Sequence, residues 1–104
     1  MDIKEVRTHH IPAQDGVDPI DVFIVWYGEC KSQITIRCWD SAWTGYRGGH
    51  WHERVEKYIT ECVDQGSIDH LVELFSRTRS PKEIKWLTKI IESIHKYLKS
   101  IEVA

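Results

Sequence analysis

Chemically useful side chains are densest between Cys38 and Glu53, where Trp39, Trp43, Tyr46 and Trp51 are interleaved with Arg47, His50 and His52 around Gly45, Gly48 and Gly49. Neutral imidazoles and carboxylates bind zinc or iron, so His50, His52 and Glu53, with His9 or His10, outline a metal-dependent hydrolase. The spacing opposes that reading. Residues two apart on a helix diverge by about 200°, so His50 and His52 converge only on extended backbone, where the first long helix is expected to start. No HExxH motif is present, and no metal or other cofactor is expected. The glycines beside Arg47, ahead of a helix N-terminus, have the ingredients of an anion cradle, yet neither GxxxxGK[ST] nor GxGxxG occurs. Cys38 or Cys62 with a histidine lacks any signature of a nucleophilic pair, and no residue is assigned a catalytic role.

Contact chemistry fits the segment better. Five tryptophans in 104 residues exceed what one small core absorbs, so one or two are expected at a surface. Tryptophan, tyrosine and arginine are the residue types that anchor protein interfaces. A non-enzymatic interaction module follows, binding a protein partner through the Trp39–His52 loop and a sheet face, with Arg37, Trp39, Trp43, Tyr46, Arg47 and Trp51 as binding residues. Charge distribution supplies an alternative. Residues 1–76 hold 7 basic against 13 acidic side chains, a balance of −6, whereas residues 77–104 hold 7 against 3, a balance of +4. Lys82, Lys85, Lys89, Lys96 and Lys99 fall on one face of the last helix, so together with Arg77 and Arg79 they outline a nucleic-acid-binding surface.

The elements that must position these groups can be read from periodicity. Ile20 to Tyr27 is rich in β-branched and aromatic residues, and Ser32 to Trp39 alternates apolar and polar, which predicts an antiparallel hairpin. Loop length decides its register. A two-residue loop sets Phe23, Val25 and Tyr27 beside Ile34, Ile36 and Cys38, and a three-residue loop sets Ile20, Val22, Ile24 and Trp26 there. A third strand is expected within Ile3 to Ile11, before the turn-rich Pro12–Pro19 segment. From Trp51 the period becomes helical and runs to Gly66. Ser67 is the expected cap of a second helix bearing Ile68, Leu71, Val72 and Phe75. Ser80, Pro81 and Glu83 form a capping-box signature for a third. The apolar stripe of that helix, from Ile84 to Ile101, covers about 160°, wide enough for two neighbours or for a second subunit in a homodimer.

Length and composition predict one α+β domain: an N-terminal hairpin or three-stranded meander, then three α-helices packed on one face. The longest uncharged apolar run, Val22–Gly28, is far too short to cross a bilayer, so a soluble protein is expected with no membrane partner. Three cysteines without CxxC spacing suit a reducing compartment. The segment Gln33–Tyr46, reading Gln-Ile-Thr-Ile-Arg-Cys-Trp-Asp-Ser-Ala-Trp-Thr-Gly-Tyr, resembles a stretch of small accessory proteins of tailed phages and prophages, over about residues 32–75. Trp39, Asp40 and the charged Arg47–His50 stretch depart from that pattern. The resemblance implies a setting, the bacterial cytoplasm, and action by binding a host or phage macromolecule rather than a reaction.

Overall fold

The computed structural model describes residues 2–28, 31–47 and 54–101. Four strands, β1 (Glu5–Ile11), β2 (Ile20–Gly28), β3 (Lys31–Cys38) and β4 (Ser41–Arg47), form an antiparallel meander in that order. Three helices follow: α1 (Val55–Asp64), α2 (Ile68–Phe75) and α3 (Pro81–Ile101). Alternation along the strands explains the layering, since successive side chains point to opposite faces. Ile20, Val22 and Ile24 of β2 share the inner face with Ile34, Ile36 and Cys38 of β3, and all six are buried. This is the register of the longer loop. Ile24 lies opposite Ile34, and the pairing shifts between Trp26 and Gly28 to absorb an extra residue.

Two tight turns set the edges of the meander. Gln14 and Val17 exchange backbone hydrogen bonds across Asp15 and Gly16, whose φ values of 50° and 78° are the paired left-handed positions of a type I′ turn. At the β3–β4 hairpin only Trp39 and Asp40 separate the strands, and Trp39 adopts φ 61°. β4 occupies half of what the sequence reading treats as a loop, the Trp39–His52 segment. Glycine and tryptophan density suggests irregular backbone, yet Trp43 and Gly45 alternate inward while Ala42, Thr44 and Tyr46 alternate outward, a strand's period of two. Gly45 has a packing reason to be glycine. A Cβ there would lie 2.7 Å from Leu74 Cγ and 3.2 Å from Phe75 Cε1, because α2 crosses the strand at that point.

All three helices cover the inner face. Leu87, Ile90, Ile91, Ile94 and Leu98 of α3 are buried, against α1, α2 and the sheet, so the wide stripe is used within one chain. Only Ile84 and Ile101, near its ends, are exposed members of that stripe. The helix starts depart from expectation in detail. α1 begins at Val55, and residues 48–53, where an earlier start was expected, lie outside the described residues. Ser67 is at the N-cap of α2, but its side chain makes no capping bond; its carbonyl accepts from the His70 N–H at 3.0 Å. At α3 the Ser80 hydroxyl accepts from the Glu83 N–H at 3.1 Å, as in a capping box, whereas the Glu83 carboxylate does not return to Ser80. Among the described residues no helix is long and apolar enough to cross a membrane.

Replacing Gly45 by alanine forces Leu74 and Phe75 apart. We expect Gly45→Ala to lower stability by about 1–3 kcal/mol. It should appear as a reduced urea midpoint with an unchanged denaturant slope.

Candidate functional site

Among the described residues no helix lies against the outer face of the sheet. Val6 of β1, Phe23 of β2 and Tyr46 of β4 are exposed there, with Val25, Thr35 and Thr44 between them and the Thr35 and Thr44 hydroxyls 3.1 Å apart. Arg37 is exposed at one end of this face, 3.7 Å from Asp21, which also meets His10 at 2.7 Å. Beyond Arg37 lies the β3–β4 turn, where Trp39 is 68% exposed. A tryptophan in left-handed backbone costs on the order of 1 kcal/mol, so holding a bare indole at a hairpin tip in that conformation is a feature to explain by function.

The remaining residues of the aromatic segment go elsewhere. Trp43 is 3% exposed and stacks edge-on against Trp86, with centroids 5.1 Å apart. Strand parity sends Arg47 inward as well, its guanidinium 4.5 Å over the Tyr58 ring. Trp51, His50, His52 and Glu53 lie outside the described residues. Thus Arg37 and Tyr46 share the outer face, Trp39 is exposed at the turn beside it, and Trp43 and Arg47 belong to the packed side. Cys38 is fully buried, and burial pushes its thiol up from its ordinary value.

Trp43 helps build a second feature. Its indole N–H donates to Glu83 at 3.3 Å, and the same carboxylate accepts from the Ser76 hydroxyl at 2.5 Å and from the N–H groups of Arg77 and Thr78, each at 3.0 Å. The Arg79 N–H reaches it at 3.3 Å. This explains why Glu83 abandons the reciprocal half of its capping box: it satisfies the turn between α2 and α3 instead. The hydrogen bond from Ser76 leads, with those from Thr78 and Trp43, in holding the Glu83 carboxyl down at about 2. Arg77, Arg79, Lys82, Lys85 and Lys89 are exposed around and beyond that turn, while Lys96 pairs with Asp15 at 3.0 Å and Lys99 with Asp64 at 3.1 Å. The basic stripe is therefore partly neutralised toward its C-terminal end.

A third cluster lies at the other end of the inner face and is invisible to sequence spacing. Arg7 of β1 grips Glu56 of α1 through two parallel bonds of 2.8 Å, and His9 Nε2 lies 2.9 Å from the same carboxylate. Arg7, His9 and Glu56 side chains are each 15–17% exposed, so this is a part-buried ionic knot. Its members are 49 and 47 positions apart in the chain, and only the single signal of a charged residue at an inward strand position marks Arg7 beforehand. Burial opposes ionisation of Glu56, but the bonds from Arg7 and His9 overcome it and bring its carboxyl to about 2. A cavity of about 640 Å³ opens beside this knot. Among the described residues no group of three histidine, cysteine or acidic side chains is arranged to hold a metal ion.

Taken together these features define a two-layer α+β protein, in which the described residues form a four-stranded meander backed by three helices on one face. Residues 1–99 match a family described as a phage family, and the chain belongs to it. No curated protein and no solved structure matches the chain. The phage setting suggested by Gln33–Tyr46 thus extends over almost the whole sequence.

Glu56 and Glu83 both ionise in the folded chain at about 2, against roughly 4.3 for an unfolded glutamate. A depressed folded value gives stability that is complete above the unfolded value and disappears as pH falls through the folded one. Urea midpoints are therefore expected to decline between about pH 5 and pH 2. Glu56→Gln should flatten part of that decline and lower neutral-pH stability by about 3 kcal/mol, because Arg7 loses its buried partner.

Proposed function

We propose that this phage protein is a non-enzymatic interaction module that binds a host or phage protein through the outer sheet face and the Trp39 turn. The observation that carries the reading is one-sided packing: every helix lies on the inner face, leaving Val6 at 56%, Tyr46 at 49% and Phe23 at 38% exposure. Val6, Phe23 and Val25 adjoin one another across β1 and β2, with Gln33, Thr35 and Thr44 between them and Tyr46, and such a mixture of apolar, aromatic and uncharged polar side chains suits an interface. Trp39, Tyr46 and Arg37 are the anchors, and the partner it suits presents an apolar patch with an acidic group near Arg37. Trp43 and Arg47 support the fold beneath this surface and are not contact residues.

A second reading, nucleic-acid binding, draws on Arg77, Arg79, Lys82, Lys85 and Lys89. The three lysines form no ion pair among the described residues. Single-strand binders set aromatic platforms inside a positive groove, however, and here Phe23 and Tyr46 lie on the outer sheet face, Trp26 lies beside Arg7 and Arg54, and none of them adjoins the lysines of α3. That separation favours a protein partner.

Site-specific photocrosslinking distinguishes the two. A photoreactive side chain placed at Thr44 should give protease-sensitive adducts in lysates of phage-infected bacteria, and these should be lost in Trp39→Ala plus Phe23→Ser. Nuclease-sensitive adducts obtained only from position Lys85 would transfer the assignment to nucleic acid, with affinity falling steeply as salt rises. No adduct from Thr44 overturns the protein-binding reading.

A further inference from the structure

The cavity beside Arg7 is independent of the outer face. At about 640 Å³ it lies within the range of small-ligand sites, roughly 300–1,000 Å³. Its wall is a row across three strands: Glu5 is directly opposite Trp26, and Trp26 directly opposite Ser32. Leu98 and Ile101 of α3 supply an apolar surface, and Arg54 and Lys57 at the start of α1 add two cations. Trp26, 38% exposed, gives the row a flat aromatic surface.

Arg7 is the centre of the site. Its Nε and Nη2 are committed to Glu56, which is 15% exposed and held from both sides by Arg7 and His9. The remaining nitrogen, Nη1, holds Glu5 at 2.5 Å, and the Glu5 side chain is 46% exposed. These two carboxylates differ in kind. Glu56 belongs to the fold, whereas Glu5 is a surface side chain resting on a guanidinium that faces a cavity. A guanidinium edge recognises carboxylate and phosphate through parallel charge-assisted bonds. If Glu5 moves into solvent, the Nη1 of Arg7 loses its carboxylate beside the cationic Arg54, so the vacated position favours an anion.

We propose that this cavity binds a small organic anion with a flat apolar body, its carboxylate or phosphate replacing Glu5 on Arg7 while its body lies against Trp26 and Leu98. Glu5 acts as an internal competitor that occupies Arg7 when the site is empty. The proposal does not depend on the protein-binding reading of the outer face.

The test is a titration followed by NMR through the Trp26 indole N–H and the Arg7 Nε–H. The probes are 2-naphthoate and 2-naphthyl phosphate, with neutral 2-naphthol as the control. Both reporter signals should move with the anions, and which anion binds more tightly separates a carboxylate ligand from a phosphate one. Glu5→Gln should tighten binding by about tenfold, since a charged competitor for Arg7 is removed. Trp26→Leu, which leaves the ionic knot intact, should weaken binding by about tenfold. The proposal is overturned if neither anion moves the reporters in the wild type or in Glu5→Gln, if 2-naphthol binds as tightly as the anions, or if Glu5→Gln leaves affinity unchanged. Movement of the Trp39 signal in place of Trp26 also overturns it, by placing the anion on the hairpin tip.

Discussion

Burial of one sheet face, and only one, governs this protein. Antiparallel strands alternate sides, so a meander with helices on a single face must place every second residue in the core and the rest on a bare surface. Ile20, Val22, Ile24, Ile34 and Ile36 take the first role, and Phe23, Val25, Thr35 and Tyr46 the second. A slip of one residue would exchange the two sets. The register with Ile24 opposite Ile34, secured by the extra residue absorbed near Gly28, is therefore the choice on which both the core and the composition of the outer face depend.

The same constraint accounts for the polar features of the inner face. Three apolar helices cover the centre of the sheet, but Arg7, His9 and Glu56 lie toward one end, where the covering thins into a cavity. Charged groups taken out of water must be paired, and Arg7 is satisfied by two carboxylates while Glu56 is satisfied by the Arg7 guanidinium and the His9 imidazole. At the opposite end, Glu83 does comparable work on backbone: one carboxylate gathers the hydrogen-bond donors of the turn between α2 and α3 and ties that turn to Trp43. Each cluster joins the sheet to a helix, the first through β1 and α1, the second through β4 and α3.

Much of the architecture was legible beforehand. The strands within Ile3–Ile11, Ile20–Tyr27 and Ser32–Trp39 carry local β patterns, and the stop at Gly66, with φ 77°, and the start at Ser80–Pro81 are local helix signals. β4 was not legible, because Trp-Thr-Gly-Tyr reads as turn chemistry unless α2 is known to press Leu74 and Phe75 against Gly45. Likewise, tryptophan density announces surplus aromatic surface without saying which rings are covered: Trp43 is buried against Trp86, whereas Trp39 stands in solvent.

What the sequence determined by itself is everything that depends on neighbours in the chain: the α+β class, the helical periods, the Asp15–Gly16 turn, and a family match covering residues 1–99. Tertiary structure decided the rest. Which of two hairpin registers holds depends on the loop and on what the helices bury; which tryptophans are exposed depends on the single covered face. The Arg7–His9–Glu56 knot joins residues 47 to 49 positions apart, and no local pattern encodes a contact that exists only once α1 has packed across the sheet.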